Sequence, residues 1–518
     1  MTNLKEEFTD LDLNIHGVRL PNFKPNKKIG IKVLGNDNLS FLNSLCNEGI
    51  KEIKAKVSSD LFGQYVERAR HELKTINELG FTDYMLLVWD VINFCKSNDI
   101  PIGLGRGSAA GSLVLYLIGV TKIDPIKYNL YFERFISKTR AKKQVVDGIT
   151  YLDGNLMCDV DIDVCYYQRQ KVLEYLEKKF KGKTSKILTL NTLSSKLLVK
   201  ECGKIAGSKP ETEMNTVSSM IPKVFGQVAP LDKAREEVSE LDDWFKDNEE
   251  VYTIALKLRN LIKNKGVHPS GILLSYDKLE NSCPTELSSD KNPVSGFDMN
   301  WVSLTNIKLD ILGLRSVSVV DNACKEIGIN VEDINLDDDF IYQQLQDLRA
   351  PHGLFQIEAD TNFRVCQKVK PRDLEELSAV LALGRPGALG FVDQYADYTN
   401  NDVAESIHPF FDEILSSTGG VCLYQEQMMR MANKVGFTLD ESEILRRIVG
   451  KKKVKEVRQW KKKIREKVKD NRLSSEWLGS KGQVDVGDVL WKVLEDSANY
   501  SFNKSHSIAY ASLSASTI

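Results

Sequence analysis

MCDVDIDV, residues 157–164, is the stretch around which the rest of the chain is organised. Its three aspartates alternate with β-branched apolar residues, and this two-residue period predicts an extended strand. Side chains two apart project from one face of a strand, so Asp159, Asp161 and Asp163 are expected on one side, with the apolar residues packed into a core. Crowded carboxylates repel one another unless cations neutralise them, and hard divalent ions take oxygen ligands. The pattern therefore predicts a Mg²⁺ site.

Two other interpretations of this stretch compete with the Mg²⁺ site. A Ca²⁺-binding loop also uses Asp at alternate positions, but it requires Gly at its sixth position and Glu at its twelfth. Counted from Asp159, those positions hold Val164 and Gln170, which excludes the loop. An acidic strand face exposed to solvent stays open, and the stretch by itself favours neither this face nor the metal site.

Composition limits the class of protein. The 518 residues are enough for several domains, and no apolar run is long enough to span a bilayer. The longest apolar patch, Met85–Cys95, predicts a buried helix. The N-terminus lacks a secretory signal, and the nine cysteines form no CxxC pair, which indicates a reducing compartment. Because the formal net charge is only −2, any nucleic-acid surface must be a local patch.

A glycine-rich segment, PIGLGRGSAAGS at residues 101–112, precedes the apolar run LVLYLIGV. This order predicts a short strand, a glycine turn and a helix start. Backbone N–H groups at such a helix start can hold a phosphate, and glycine lets the phosphate approach closely. The spacing matches neither the dinucleotide fingerprint nor a P-loop. A tight turn before a core helix explains the segment equally well.

A second strand is predicted at residues 307–312, IKLDIL, with Lys308 and Asp310 on one face and apolar residues on the other. It displays a further carboxylate beside a cation, which strengthens the prediction of a metal site.

Two basic segments are candidates for phosphate contact. A helix predicted at residues 193–205 carries Lys196, Lys200 and Lys204 on one face, although such a face is usually solvated. Residues 451–472 contain 12 Lys or Arg against 3 Asp or Glu, an excess that favours phosphate contact in an otherwise neutral chain.

Ten motifs, in this order, closely resemble the family C bacterial replicative DNA polymerases, the alpha subunits of DNA polymerase III. They are GLGRGSAAGSLV, YFERF, DVDIDVC, GVHPSGILL, IKLDILGLRS, GLFQIEAD, LGRPGALGFVDQY, LYQEQMMRMA, ILRRIVGKKK and YSFNKSHSIAYA, and they run from residue 103 to residue 511. The resemblance implies an α+β, mostly helical fold, with a polymerase β-like nucleotidyltransferase palm, a helical thumb and partial helical fingers. The implied domains are an N-terminal linker (1–30), the first part of the palm (31–190), the thumb (191–265), the second part of the palm (266–315) and incomplete fingers (316–518).

The resemblance also implies roles for individual residues. Asp159, Asp161 and Asp310 match the catalytic metal ligands, which hold two Mg²⁺ ions, and Asp163 matches a supporting acid. The residues that match nucleotide-binding positions are Gly107, Ser108, Lys308, Arg385, Tyr500, Lys504 and His506. The basic segments add DNA-binding candidates: Lys196, Lys200, Lys204, Lys451, Lys452 and Lys453.

Several features depart from the family pattern. Cys158, Gly384 and Ser501 stand where proline, a large residue and glycine are usual, and residues 138–156 form an extended segment before the acidic stretch. Nothing resembles the family's N-terminal PHP domain, its clamp-binding domain or its OB-fold. We therefore expect one piece of a split polymerase, a reduced viral enzyme, or a gene interrupted by an intron or intein.

The leading functional interpretation is a DNA-templated DNA polymerase core that transfers a nucleotide from dNTP to a primer 3′-hydroxyl. Its expected partners are primer–template DNA, dNTP, a second polypeptide carrying the remaining fingers, and a sliding clamp bound through that polypeptide, with no membrane. The expected location is the bacterial cytoplasm, or the host cytoplasm for a viral enzyme. Without further fingers helices, Ile508, Ala509 and Tyr510 are expected to be exposed or disordered.

Two alternative functions stay open. One is a non-catalytic DNA-binding or regulatory subunit that retains the fold, and the other is a template-independent nucleotidyltransferase. The intact carboxylates argue against the first, and the long basic segment argues against the second.

Overall fold

A computed structural model describes residues 16–21, 23–24, 33, 35–139, 142–224, 227–450, 454–471 and 485–518. The chain divides into two compact units. The first comprises residues 1–185, 270–282 and 302–518, and the second comprises residues 186–269 and 283–301.

Helices make up most of the described structure. In chain order they are α1 (Asn38–Lys54), α2 (Ser59–Leu79), α3 (Thr82–Ser97), α4 (Leu113–Leu117), α5 (Phe132–Phe135), α6 (Arg169–Lys179), α7 (Ser195–Ile205), α8 (Glu211–Met220), α9 (Leu231–Glu237), α10 (Ser239–Asp247), α11 (Glu249–Lys257), α12 (Met299–Val302), α13 (Arg315–Ile327), α14 (Asp339–Gln346), α15 (Asp360–Val369), α16 (Leu374–Leu383), α17 (Val392–Asn401), α18 (Pro409–Leu415), α19 (Gln425–Val435), α20 (Leu439–Gly450), α21 (Val454–Asp470), α22 (Val486–Ser497) and α23 (Lys504–Ala515). In the described part of the chain, no helix has the length and apolar character of a membrane span.

The strands are fewer and shorter. They are β1 (Lys143–Val146), β2 (Ile149–Leu152), β3 (Ile162–Cys165), β4 (Thr184–Thr192), β5 (Lys223–Val224), β6 (Gln227–Val228), β7 (Ile262–Leu274), β8 (Thr285–Leu287), β9 (Pro293–Asp298) and β10 (Ile307–Leu314). The α+β, mostly helical class predicted from the sequence is confirmed.

Strand β10 is the centre of the sheet in the first unit. It pairs in parallel with β3, where Ile311 lies opposite Ile162, and antiparallel with the end of β7, where Asp310 lies opposite Gly271. The β-branched and apolar residues of β3 and β10 are buried together, as is helix α3 with its Met85–Cys95 run. The prediction of a buried helix there is confirmed.

Three local features of the structure were not predicted from the sequence. Only the second half of residues 157–164 is strand, because ladder pairing with β10 begins at Ile162. The stretch at residues 266–275 predicts a turn that enters a strand, but strand β7 already runs through Gly266, where a Cβ would lie 2.8 Å from Thr189 Oγ1. Residues 143–152 form a β1–β2 hairpin whose turn places Asp147 and Gly148 at positive φ.

Among the described residues, the C-terminal half of the first unit contains two large cores and a smaller cluster of Val317, Val320, Cys324 and Leu513. Helices α14 to α17 pack with α23 around one core, and α18 to α22 pack around the other. Helix α23 is enclosed: Ile508, Ala509 and Tyr510 are 0%, 1% and 9% exposed. The expectation that these three residues would be exposed or disordered is wrong, because α16 and the turn at residues 107–111 cover their helix.

The second unit has its own core. Strand β9 pairs in parallel with β4 and antiparallel with β8. Helices α7 to α11 bury apolar residues that include Val199, Met214 and Phe245. The helix predicted at residues 193–205 is present as α7, with Val199 and Cys202 on its buried face.

Candidate active site

Three carboxylates from two segments meet beside β10. Asp310 lies in the middle of this strand, while Asp159 and Asp161 lie in the extended segment that leads into β3. Because β3 and β10 run in parallel and pair from Ile162 onward, this segment enters next to Asp310. One oxygen of each carboxylate lies within 4.8 Å of the others. Asp159 is exposed, Asp161 is half-buried and Asp310 is buried.

The electrostatics of this cluster favour a bound cation. Burial, together with repulsion from Asp159 and Asp310, raises the pKa of Asp161 to about 7, even though Arg106 and Lys308 oppose the shift. Lys308 Nζ lies 2.6 Å from Asp310 Oδ2, and the hydroxyl of Ser270 donates to Asp310 Oδ1 at 3.2 Å. Arg106 and Lys308 compensate only part of the negative charge on the three carboxylates. Converging oxygen ligands that keep such a charge fit a hard divalent ion such as Mg²⁺.

Asp163 stands apart from the cluster. Its side chain is only 3% exposed, and Oδ1 lies 3.2 Å from Nη1 of Arg106. Burial raises the pKa of Asp163 to about 6, and Arg106 limits the rise. Asp163 therefore pairs with Arg106 and does not join the three-carboxylate cluster.

The glycine-rich segment forms the predicted turn. Ile102 pairs with Val164, and Gly103 donates to the carbonyl of Asp163 at 2.8 Å, so a Cβ at Gly103 would lie 2.8 Å from Asp163 Cβ. Residues 107–111 form a short 3₁₀ helix that begins at Gly107, which has a φ of +61°, and includes Ser108.

A buried carboxylate supports the helix that follows. Glu72 of α2 is 0% exposed and accepts hydrogen bonds from the Ser112 hydroxyl and from the N–H groups of Leu113 and Val114. Arg68 also donates to it, at 2.6 Å. The start of α4 is therefore satisfied from within the chain.

His506 and Lys504 reach this region from α23. The N–H of Gly107 donates to His506 Nδ1 at 3.0 Å. Burial, with additional repulsion from Arg106 and Arg385, lowers the pKa of His506 to about 4, so the ring is neutral at neutral pH. Lys504 Nζ donates to the carbonyl of Tyr128 at 3.0 Å and contacts Glu375 Oε1 at 2.5 Å.

The other two nucleotide-binding candidates lie around the start of α23. Arg385 is exposed and stacks its guanidinium carbon 4.6 Å from the Phe502 ring centre. Tyr500 packs its ring 4.5 Å from that of Phe391. A Cβ at Gly384 would overlap the Asn362 amide oxygen, which explains why a large residue is absent at this position.

Comparison with known proteins shows the family of the chain. Residues 40–313 match the family model described as the bacterial DNA polymerase III alpha NTPase domain, and residues 314–472 match its finger domain. The chain belongs to the bacterial DNA polymerase III alpha family. The border between the two family models falls at the end of β10.

Curated members of the DNA polymerase III alpha family align with most of this chain. The subunit alpha of Buchnera aphidicola is 32% identical over 93% of this chain and 42% of its own length. The subunit of Ureaplasma parvum is 31% identical over 99% of this chain and 51% of its own length, and that of Thermus aquaticus is 31% identical over 91% and 37%. The chain thus spans about half, or less than half, of the length of these relatives.

Some of the DNA-binding candidates lie within the described residues and others lie outside them. In the second unit, Lys200 pairs with Glu211 at 3.1 Å and Lys204 pairs with Glu201 at 3.2 Å, while Lys196 is half-buried on the same helix. Lys451, Lys452 and Lys453 lie outside the described residues. The rest of their basic segment continues as α21.

Sequence reasoning missed two residues beside the polymerase III alpha carboxylates. Arg106 lies between Asp161 and Asp163, and Tyr510 lies against Arg106 from α23. Arg106 directly precedes the Gly107–Ser108 pair, so its place in the glycine turn was a usable signal. Tyr510 had none, because it is separated from Arg106 by most of the chain.

Proposed function

We propose that this chain is the catalytic core of a DNA-templated DNA polymerase that joins dNTP to a primer 3′-hydroxyl. The observation that supports it best is the convergence of Asp159, Asp161 and Asp310 within 4.8 Å, in a chain that belongs to the polymerase III alpha family. A binding module has no need for three carboxylates where DNA phosphates must approach.

Asp159 and Asp161 are proposed to hold two Mg²⁺ ions, with Asp310 as a ligand on the primer side. When bound, such ions supply a more acidic primer hydroxyl and neutralise the charge of the leaving pyrophosphate. Lys308 lies beside Asp310 and is placed to meet the triphosphate as well, since its side chain is 20% exposed. Catalysis of this kind depends mainly on positioning and electrostatics.

The remaining nucleotide-binding candidates would act in different ways. Arg385 is an exposed cation that offers paired donors to a phosphate. Lys504 contributes charge that Glu375 partly offsets. Because Nδ1 of neutral His506 already accepts the Gly107 N–H, the ring would act through its Nε2–H as a donor, or as a packing surface, rather than as a cation. Tyr500 and the Gly107–Ser108 turn would frame the sugar and the phosphates.

We assign residues 31–190 and 266–315 to the palm, 191–265 to the thumb and 316–518 to the fingers. The thumb assignment is supported by helices α7 to α11 of the second compact unit, which fall within residues 191–265, although residues 283–301 of the same unit belong to the part assigned to the palm. Lys196, Lys200 and Lys204 are proposed to contact duplex phosphates, which would have to displace the glutamate partners of the last two. Residues 451–472 are proposed to do the same.

A second polypeptide that completes the fingers, and a sliding clamp bound through it, stay predictions. Helix α23 gives them no support, because its apolar residues are already buried within this chain.

Primer extension by the purified 518-residue chain tests the proposal. A primed template with Mg²⁺ and all four dNTPs should give template-directed products, and Asp161→Asn should abolish them. Asp60→Asn, an exposed aspartate on α2, is the matched control. DNA binding without extension would favour the non-catalytic alternative. Extension of a primer lacking a template would favour the template-independent transferase. Extension that requires an added fragment would support the split enzyme.

A further inference from the structure

One side chain joins the acidic stretch to the C-terminal helix. Arg106 Nε lies 3.3 Å from Asp161 Oδ2, and its Nη1 lies 3.2 Å from Asp163 Oδ1. The same Nη1 donates to the hydroxyl oxygen of Tyr510, and the guanidinium carbon lies 5.4 Å from the Tyr510 ring centre. Arg106 therefore makes contacts with two aspartates and with a fingers residue at once.

The two groups that flank Arg106 are themselves fixed. Asp163 belongs to strand β3, is 3% exposed at its side chain and accepts the Gly103 N–H through its carbonyl. Tyr510 is 9% exposed, and its ring packs 4.2 Å from that of His506. Arg106 is thus held by two residues that lie far apart in the chain.

Helix α23, which carries Tyr510, is anchored along its length. Glu426 accepts the N–H of Lys504 at 2.8 Å, and the Ser507 hydroxyl donates to the carbonyl of Ser378 at 2.6 Å. The Tyr510 hydroxyl is consequently a fixed point rather than a mobile one.

Asp161 lies outside the strand ladder that holds Asp163. It lies one residue before strand β3 begins, so the β3–β10 ladder does not fix it, and its side chain is 25% exposed. The Arg106 Nε contact therefore selects the orientation in which Asp161 faces Asp159 and Asp310. Partners that orient a metal ligand typically change metal affinity by about 10- to 100-fold when removed.

We propose that Arg106 and Tyr510 are positioning residues for Asp161, so that the packing of helix α23 sets the affinity of the carboxylate cluster for divalent cations. Asp163 serves in this arrangement as the anchor for Arg106 and not as a ligand. The proposal rests on the proposed function, because it takes Asp161 to be a metal ligand.

Two charge-conserving variants test the line of contacts from Tyr510 through Arg106 to Asp161, which is called the relay below. Tyr510→Phe deletes only the hydroxyl that Arg106 contacts, and Arg106→Lys keeps the charge but loses the planar fork that spans two carboxylates. If Arg106 were only a cation that competes with the metal ion, both variants would leave the metal affinity nearly unchanged. Positioning predicts weaker metal binding for both, by about 3- to 10-fold for Tyr510→Phe and about 10-fold or more for Arg106→Lys.

The matched control is Tyr342→Phe. Tyr342 is 3% exposed in the same hydrophobic core as Tyr510, and its hydroxyl donates to the carbonyl of Leu336 at 2.5 Å. Like Tyr510→Phe, the Tyr342→Phe variant deletes the hydroxyl of a buried tyrosine, but it does not touch the carboxylate cluster.

The first measurement is Mn²⁺ binding to the 518-residue chain, followed by electron paramagnetic resonance without DNA or nucleotide, counting only the binding that Asp161→Asn removes. Tyr510→Phe and Arg106→Lys should raise the Mn²⁺ dissociation constant while Tyr342→Phe leaves it unchanged. The second measurement is the Mg²⁺ concentration for half-maximal primer extension, which should rise in the same order.

The outcomes separate the two proposals. Mn²⁺ affinity that is unchanged in both variants, or weakened equally by Tyr342→Phe, would overturn the relay. Shifted Mn²⁺ affinity with no primer extension by the unaltered chain would support the relay and count against the polymerase activity. Absence of any Asp161-dependent Mn²⁺ binding would overturn both.

Discussion

Glu72→Gln isolates the buried carboxylate that supports the start of α4. The change keeps the size of the side chain but replaces one acceptor oxygen by a donor. In the less costly orientation the amide nitrogen replaces Oε2 and faces the Ser112 hydroxyl, which can rotate to accept from it. The Val114 N–H, which donates to Glu72 Oε2 at 3.0 Å, then loses its acceptor. Arg68 Nε, which now lies 2.6 Å from a carboxylate oxygen, then meets a neutral oxygen.

The expected loss follows from these two changes. A buried N–H left without an acceptor costs about 1–3 kcal/mol, and a hydrogen bond to a charged group contributes about 1.5–3 kcal/mol. Their sum, about 2.5–6 kcal/mol, brackets the cost of about 3–5 kcal/mol for removing one partner of a buried ion pair. A loss of about 3 kcal/mol in the free energy of local opening raises amide exchange by about 150-fold.

Hydrogen exchange of a peptide covering Leu113 and Val114 is the direct assay, with thermal unfolding as a second measurement. Glu67→Gln, an exposed glutamate on the same helix, is the control and should change stability by no more than about 0.5 kcal/mol. Exchange at Leu113 and Val114 that matches the control would refute the reasoning, because it would mean that water or another group replaces the carboxylate without cost.

Asp161→Asn should lower Mg²⁺-dependent primer extension at least about 100-fold without changing DNA binding measured by fluorescence anisotropy, because it removes a metal ligand and no phosphate contact. The pKa of His506 is about 4 in the folded chain against 6.5 for a free histidine. The unfolded chain therefore binds more protons, and about 3 kcal/mol of stability is lost as pH falls from 6.5 to 4. In urea titrations of the metal-free chain, His506→Gln should show a correspondingly smaller loss over that window, and an identical pH profile would contradict the sign. Reversing lysines 461–463 to Glu should weaken binding to unrelated duplexes alike and flatten the dependence of log affinity on log salt by about 0.9 per lost phosphate contact; an unchanged slope would remove these lysines from the interface.

The sequence predicted the cluster because its signal is local. Alternating acids in residues 157–164 and the Lys308–Asp310 pair each lie within one short segment, and their meeting follows from the family resemblance. Where strand β3 begins was not predictable, because strand limits depend on where β10 pairs and not on the residues of the strand alone.

Other features depend on contacts between distant residues. Tyr510 lies against Arg106 from the far end of the chain, and no local pattern of either residue predicts the contact. The burial of α23 was missed for the same reason, since its cover comes from α16 and from the 107–111 turn. The hairpin at residues 143–152 did have a local signal, the Asp147–Gly148 pair between two β-branched runs, and this signal was not used.

The register of β10 against β3 makes the cluster an all-or-none feature. Along β10, Lys308 and Asp310 alternate with the buried Ile307, Leu309 and Ile311. A slip of one residue would turn Asp310 into the apolar core and bring an aliphatic side chain to the two remaining aspartates. Insertions or deletions of a single residue within residues 307–311 should therefore eliminate metal binding outright, whereas substitutions around the cluster would only tune it. A recombination or splicing junction that adds or removes residues must therefore fall outside this short segment if metal binding is to survive.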